Sequence, residues 1–132
     1  MRSGVLADTG PLYAAADPDD AYHKRARREL SRLAGGHQEV VVAYPTLLEA
    51  YTLVLFRLGE SQAPHWLEEM TSAALVNPVP ENYRQAVAIV QSLKDQPVTF
   101  FDALLASLAR RLNLEVWTYD HHFDVMRVAV WR

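Results

Sequence analysis

Short, continuously apolar runs alternate with longer segments of helical periodicity in this chain, and this alternation restricts the fold more than any other feature. The run "EVVVAY" at 39–44 lacks the regular polar positions of a half-exposed strand. Such a run is typical of a strand that helices cover on both faces of its sheet. The segment 81–95 instead places apolar residues such as Ala86 and Val90 on one stripe of a helix. The alternation predicts an α/β fold with a largely parallel sheet.

The predicted elements follow one another without a linker, a repeat or a low-complexity tract, which predicts one domain over residues 1–132. We expect helices over 18–36, 45–58, 61–73, 81–95 and 99–113. We expect strands over 4–10, 39–44, 114–120 and 125–132, and a short strand with a turn over 74–80.

The composition excludes several kinds of function. The sequence contains no cysteine, which rules out disulfides, zinc–thiolate sites and thiol catalysis. The longest apolar stretch, 40–58, contains Pro45, Glu49 and Arg57, so a membrane span is not expected, and no terminal stretch has the pattern of a signal peptide. We therefore expect a cytoplasmic protein without membrane contact. The net charge of −3 does not exclude a nucleic-acid enzyme, because carboxylates gathered around a cation are counted in it as bare negative charge.

Four acidic residues occupy places where a carboxylate is either useful or unfavourable. Asp8 and Asp120 follow predicted strands, and functional groups collect at the carboxyl ends of strands in open α/β sheets. Glu49 is the only formal charge in "YPTLLEAYTLVLF", and Asp102 is the single acid among the apolar residues that open the helix at 99–113. A carboxylate removed from water is strongly destabilising unless a partner compensates its charge.

A divalent cation would compensate all four acids if they converged on one site. Carboxylates placed together repel one another and in part stay protonated, and a cation removes that conflict. Oxygen ligation without cysteine favours Mg²⁺ or Mn²⁺. Acids that hold one or two such ions are suited to in-line attack of water on a phosphodiester.

Three of the acids also have an ordinary structural explanation when each is taken alone. Asp8 can cap a turn or helix after the first strand, Asp102 can be a first-turn acid favoured by the helix dipole, and Asp120 can be a loop acid. The triplet Asp-Thr-Gly at 8–10 also occurs in aspartic proteases, but those are all-β proteins and this chain has several helical segments. A phosphorelay protein with Asp8 as nucleophile would need a lysine near the last strands, and the sequence has none there.

Taken in order, the segments that carry the four acids resemble the PIN-domain nucleases, and most closely the VapC-like toxins of toxin–antitoxin pairs. The resemblance covers essentially the whole chain and rests on "LADTGPLYAAAD" with Asp8, "YPTLLEAYTLV" with Glu49, "FFDALLASLARRLN" with Asp102, and "VWTYDHHFDVM" with Asp120 and Phe123. It implies a three-layer α/β/α fold with a central, mostly parallel sheet.

The resemblance also implies how the site is built and used. The four acids would form the metal site, and Asp124, in the family's variable fifth-acid region, would assist them. Thr9 and Thr118 stand where family members often carry hydroxyls near the metal, whereas Gly10 replaces a small polar residue that is commoner in the family. The implied activity is that of a Mg²⁺- or Mn²⁺-dependent endoribonuclease, homodimeric and inhibited by an antitoxin whose tail occupies the groove. The alternative is a PIN-like module that binds RNA or protein with little turnover.

Basic residues on one helix leave two interpretations open. Lys24, Arg28 and Arg32 share a face of the helix predicted over 18–36. This face is either a phosphate-contacting rim for RNA, with salt-sensitive binding, or an ordinary solvated face with Glu29 as an ion-pair partner.

Two histidines directly follow Asp120 and are candidate ligands by position alone. His121 and His122 are adjacent in sequence, and adjacent side chains rarely ligate one ion together. We therefore expect both to be exposed loop residues.

Overall fold

The computed structural model describes residues 3–132 and contains four strands and seven helices in that range. The strands are β1 (Gly4–Ala7), β2 (Glu39–Ala43), β3 (Ala74–Val76) and β4 (Glu115–Trp117). The helices are α1 (Thr9–Ala16), α2 (His23–Gly35), α3 (Tyr44–Leu58), α4 (Gln62–Met70), α5 (Pro80–Ser92), α6 (Phe100–Leu112) and α7 (His122–Val125). No helix among the described residues is both long and apolar enough to cross a membrane.

All four strands pair in parallel, in the order β3-β2-β1-β4. β1 is therefore flanked on both sides, and Leu6 lies opposite Val41 of β2 and Val116 of β4. Because parallel strands end at the same edge of a sheet, the residues that follow β1 and β4 are neighbours in space. The predicted parallel sheet is confirmed, and the all-β architecture of an aspartic protease is excluded.

Helices cover both faces of the sheet because successive strand residues point to opposite sides. Val5 and Ala7 pack into one hydrophobic cluster with α1 to α4, whereas Leu6 packs into a second cluster with α5 to α7. All three of these β1 side chains are fully buried. The result confirms the three-layer α/β/α arrangement that the family resemblance implies.

The segment directly after β1 forms a helix, α1, where the sequence predicts none. Asp8 is its N-cap, with a side chain that accepts a hydrogen bond from the Thr9 amide. Pro11 lies in the first turn of the helix, where a proline interrupts no hydrogen bond. The strand predicted over 4–10 therefore ends at Ala7, and Asp8 does serve as a helix cap.

The carboxyl-terminal segment differs most from its prediction. The predicted strand over 125–132 is wrong apart from one parallel bridge between Val130 and Val116, and its first residue, Val125, is the last residue of α7. Arg127 has a φ of 59°, a left-handed conformation that interrupts extended backbone.

Candidate metal centre

Asp8 sits where β1 meets α1, at the carboxyl edge of the sheet. Its amide donates to the Trp117 carbonyl of β4 over 2.9 Å, so the strand pairing continues one residue past β1. Its two carboxylate oxygens accept hydrogen bonds from the Thr9 amide at 2.8 Å and from Thr118 Oγ1 at 2.7 Å. Asp8 is thereby fixed in one orientation and is only 7% exposed.

Two helices supply the next two acids. Thr99 Oγ1 accepts a hydrogen bond from the Asp102 amide at 3.0 Å, so Asp102 lies in the first turn of α6, and it is buried. Glu49 lies on α3 and is exposed at the wall of a groove, although its apolar neighbours in sequence suggest burial. Those neighbours include Leu47 and Ala50, which α3 turns into the core instead.

Asp120 follows β4 and is held by its neighbours. Its amide donates to Thr118 Oγ1 at 2.9 Å, and one of its carboxylate oxygens accepts from the His122 amide at 2.9 Å. Thr118 therefore links two of the acids, because the same hydroxyl donates to Asp8 and accepts from Asp120.

The four acids line one open groove of about 690 Å³. They reach it from four separate parts of the chain, namely the β1–α1 junction, α3, the start of α6 and the loop after β4. The rest of the lining consists of Thr9, Gly10, Leu53, Thr99, Phe101, Tyr119 and His121. The structure thus brings together the four carboxylates for which the sequence predicts convergence: Asp8, Glu49, Asp102 and Asp120.

A family model decides what kind of domain this is. The model of the PIN domain matches residues 5–129, a range that contains all four acids. The chain belongs to the PIN domain family. No curated protein matches it by sequence.

Solved structures share the fold of this PIN domain at low sequence identity. VapC20 of Mycobacterium tuberculosis, a toxin that cleaves the sarcin-ricin loop, superposes with a TM-score of 0.83 at 20% identity, covering 98% of this chain and 99% of that chain. For VapBC2 from Rickettsia felis, bound to a promoter DNA fragment, the TM-score is 0.77 at 16% identity, with 97% and 96% covered. For FitAcB from Neisseria gonorrhoeae the TM-score is 0.73 at 20% identity, with 97% and 96% covered. Likeness at such identities establishes the fold, so the function is argued from the site.

Burial and mutual repulsion raise the pKa values of three of the acids in this PIN domain. Burial raises the pKa of Asp8 from 3.8 to about 6, and the hydrogen bonds that Asp8 accepts offset this only in part, while Asp102 and Asp120 add to it. Burial, followed by the charge of Asp120, raises the pKa of Asp102, and burial followed by the charge of Asp102 raises the pKa of Glu49. Within residues 3–132, no lysine or arginine lines the groove to compensate these charges. Such a site favours a bound cation.

His122 lies against two of the acids, although the sequence predicts an exposed loop residue. Its side chain is 15% exposed whereas that of His121 is 80% exposed, so the expectation of an exposed loop residue is confirmed for His121 and wrong for His122. His122 Nδ1 lies 3.1 Å from an Asp120 oxygen and 3.8 Å from an Asp102 oxygen. Phe123, the next residue, is fully buried, and an apolar residue after two histidines was the only signal of this inward turn.

Two buried polar atoms at the site have no hydrogen-bond partner among the described residues. They are Thr9 Oγ1, on a residue that lines the groove, and His122 Nδ1. Buried polar atoms are usually partnered, so both atoms fit a site that is completed by a ligand. The surrounding donors are mostly carboxylate oxygens, which suits Mg²⁺ or Mn²⁺.

Asp124 and Gly10 differ from the rest of the predicted site. The Asp124 side chain is 53% exposed, pairs with Arg132 at 3.2 Å and does not line the groove, so its part in metal binding stays a prediction. A Cβ at Gly10 would meet no heavy atom within 4 Å. Space therefore permits the small polar residue that is commoner in PIN domains, and its absence removes one hydrogen-bonding group from the groove.

One arginine of α2, outside the predicted set, contacts a residue that lines the groove. The predicted RNA-contacting residues are all exposed: Lys24, Arg28 and Arg32. Arg32 is stacked on Trp131, with its guanidinium carbon 4.7 Å from the ring centroid. Arg25 instead stacks 4.2 Å from the ring centroid of Tyr119, which lines the groove.

Glu29 is an ion-pair partner of Arg25, as one of the two interpretations has it, but it is buried and not part of a solvated face. It is 7% exposed and accepts hydrogen bonds from Trp117 Nε1 at 3.0 Å and from the Tyr119 hydroxyl at 2.6 Å. Arg25 Nε lies 3.4 Å from its other oxygen. Glu29 therefore ties α2 to the end of β4 and holds Tyr119 beside the groove.

Proposed function

We propose that this PIN domain is a metal-dependent endoribonuclease in which Asp8, Glu49, Asp102 and Asp120 hold Mg²⁺ or Mn²⁺. The observation that carries the proposal is that four acids from separate segments line one groove, and that no lysine or arginine of residues 3–132 lines it with them. Burial, with smaller contributions from the charges of Asp102 and Asp120, raises the pKa of Asp8 to about 6, and a cation bound between these acids would stabilise their charged forms.

Neighbouring residues of the chain fix the positions of the acids before a substrate binds. Thr118 and the Thr9 amide orient both oxygens of Asp8, and Thr99 caps the helix that presents Asp102. Preorganised acids of this kind avoid reorganisation during the reaction. When bound, a divalent cation supplies activation of water and offsets charge on the phosphodiester oxygens. By the family resemblance the products carry a 5′-phosphate and a 3′-hydroxyl, and no serine or histidine nucleophile is required.

The proposed RNA path runs along the open groove and past the exposed face of α2. Phe101 and Tyr119 give the groove aromatic surface, on which bases can stack. We propose Lys24, Arg28 and Arg32 as the phosphate-contacting rim, together with the partly exposed Arg25 beside Tyr119. Such contacts make binding depend on salt concentration.

We also propose a protein partner, an antitoxin, and a homodimer, both in the cytoplasm. Similar folds occur in VapBC2 and in a toxin–antitoxin complex from Klebsiella pneumoniae. On α3, Leu48 is 68% exposed and Phe56 is 80% exposed, and Tyr83 and Val87 are exposed on α5. Exposed apolar side chains of this size mark interaction surfaces when they are contiguous. Co-purification with the product of the adjacent gene, and the mass of the purified chain in solution, test these two points.

Incubation of the purified, partner-free chain with RNA and Mn²⁺, with and without a chelator, tests the proposed activity. We expect cleavage that the chelator and Asp8→Asn both abolish, and products with 5′-phosphates. Asp95→Asn is the matched control, because Asp95 is exposed and outside the groove. Cleavage that survives both the chelator and Asp8→Asn would contradict the proposal. RNA binding without Mn²⁺-dependent cleavage would favour a binding module instead.

A further inference from the structure

One imidazole enters the cluster of carboxylates from the side of α7. His122 is the first residue of α7, and its amide donates to an Asp120 oxygen at 2.9 Å. This bond fixes the turn between the two residues, while Phe123 is fully buried in the core. The His122 ring is thereby directed inward, and its side chain is only 15% exposed.

We propose that His122 Nδ1 is a nitrogen ligand of the metal site, and that it makes the site prefer Mn²⁺ over Mg²⁺. The inference rests on the proposed metal site and concerns which cation that site takes. Mg²⁺ favours oxygen ligands, whereas imidazole suits transition-metal cations. Carboxylate oxygens suit both ions, so the imidazole is the group in this site that adds a preference for Mn²⁺.

The distances fit neighbouring ligands of one ion. In an octahedral site with bonds of about 2.1 Å, adjacent donor atoms lie about 3 Å apart. His122 Nδ1 is 3.1 Å from an Asp120 oxygen. An Asp102 oxygen lies 3.8 Å from the same nitrogen, so two of the proposed carboxylate ligands are within 4 Å of Nδ1.

The Nδ1 atom has no other assigned use in the described residues. It is buried and makes no hydrogen bond, although two carboxylates face it. Thr9 Oγ1, also buried and without a partner, lines the adjacent groove. The competing explanation is an ion pair between a protonated imidazole and the two acids, with no contact to metal.

His121 provides a matched control within the same sequence. Its ring lies next to that of His122, with centroids 4.4 Å apart, but its side chain is 80% exposed and its Nδ1 is 3.9 Å from the Asp120 oxygen. His121→Asn and His122→Asn therefore make the same chemical change at neighbouring positions. Asparagine offers an amide oxygen close to the position of Nδ1, so His122→Asn replaces a nitrogen donor by an oxygen donor.

Electron spin-echo spectroscopy of the Mn²⁺-loaded protein tests the proposal directly. We expect modulation from a directly bound imidazole nitrogen in the unsubstituted protein and in His121→Asn, and its loss in His122→Asn. Direct titration should show that His122→Asn lowers Mn²⁺ affinity by about tenfold or more, since even outer partners of a ligand contribute about 10- to 100-fold. Mg²⁺ affinity should change by less than about threefold, because the substituted oxygen suits Mg²⁺.

Absence of the nitrogen signal in the unsubstituted protein would overturn the inference, and that measurement does not depend on whether any variant folds. Equal losses of Mn²⁺ and Mg²⁺ affinity in His122→Asn would also overturn it and favour the structural ion pair. RNA cleavage without the nitrogen signal leaves the proposed nuclease intact and refutes only the role of His122. A nitrogen signal without any RNA cleavage refutes the nuclease and supports the metal ligand.

Discussion

Two buried carboxylates, Asp8 and Glu29, are equally hidden from solvent, each 7% exposed, yet their pKa values move in opposite directions. Burial alone would raise both. For Asp8 it does so, to about 6, because two hydrogen bonds do not outweigh burial and the neighbouring acids. For Glu29 the hydrogen bonds from Tyr119 and Trp117, together with Arg25, outweigh burial and lower the pKa.

The difference shows that burial of an acid does not by itself mark a functional site. Glu29 has donors and a cation around it, so its charge is stabilised within the fold. Asp8 has other carboxylates around it, so its charge is left for something outside the chain to compensate. One acid is therefore stabilised within the fold, and the other is a proposed metal ligand, although Glu29 contacts Trp117 and Asp8 contacts its neighbour Thr118.

The largest expected effect is the loss of activity in Asp8→Asn. Removal of one metal-holding carboxylate removes several kcal/mol of transition-state stabilisation, which corresponds to about 10³-fold in rate. The metal-free protein should be equally or more stable at pH 7, because a repelling charge has been removed. RNA cleavage rates and urea unfolding measure the two effects. Lower stability of the metal-free Asp8→Asn protein would place Asp8 with Glu29 as a structural acid.

The second-largest expected effect is the contribution of Asp8 to the pH dependence of stability. Its pKa is raised in the folded protein, from 3.8 to about 6, so its contribution is fully present below pH 3.8 and is lost as the pH rises through about 6. The shift corresponds to about 3 kcal/mol in the free energy of unfolding. We therefore expect the free energies of unfolding of the metal-free protein and of Asp8→Asn, measured by urea titration, to diverge between pH 4 and pH 7, with the unsubstituted protein losing more stability as the pH rises. Parallel curves would show that Asp8 has an ordinary pKa.

Glu29→Gln should change the stability of the metal-free protein in the opposite direction from Asp8→Asn, by lowering the free energy of unfolding at pH 7. The substitution leaves the hydrogen-bond donors of Trp117 and Tyr119 without a charged acceptor, and we expect a loss of about 2 kcal/mol in the free energy of unfolding at pH 7. Because the pKa of Glu29 is lowered in the fold, its contribution is present above the ordinary value of 4.5 and is lost as the pH falls through the folded value. Glu68→Gln, at an exposed acid, is the control and should change stability by less than about 0.5 kcal/mol. A stable Glu29→Gln protein with reduced Mn²⁺ affinity would assign Glu29 to the metal site.

The smallest expected effect is a change in RNA binding on substitution of Arg25, which lies between Glu29 and the groove. Arg25 pairs with Glu29 and stacks on Tyr119, and its side chain is 47% exposed. Arg25→Gln should weaken binding of single-stranded RNA by about 1 kcal/mol at low salt. It should also make the slope of log K against log salt concentration less steep, by about the amount that one phosphate contact contributes. Titrations of a fluorescent RNA in chelator at several salt concentrations measure this, with Arg28→Gln as a comparison on the same helix. An unchanged salt dependence would restrict Arg25 to the structural network.

The strands and the four acids could be predicted because their signals are local. A continuous apolar run identifies β2 without knowledge of its partners, and the acids that follow β1 and β4 stand at strand ends in the sequence itself. α1 is harder to predict because Gly10 and Pro11 are both poor residues for a helix interior. Its cap, Asp8, has to be recognised first.

Glu29 and His122 could not be assigned because their environments are made by distant parts of the chain. Glu29 directly follows Arg27 and Arg28, as a solvated acid could, and its partner Trp117 lies 88 positions away. His122 looks the same as His121 in sequence, and only the packing of α7 separates them, with 15% and 80% of their side chains exposed. In both cases the sequence shows the residue type, but only the tertiary fold determines whether the side chain is buried and which groups it contacts.

The pairing of β4 with β1 has a consequence for how the protein is made. Thr118 and Asp8 are hydrogen-bonded across 110 positions, so the bond cannot form until most of the chain has been synthesised. Ribosomes add about 5–20 residues per second, and for several seconds the emerging chain therefore carries Asp8 and Glu49 without their later partners. The groove that holds the four acids is therefore complete only after β4 and the loop that follows it have left the ribosome.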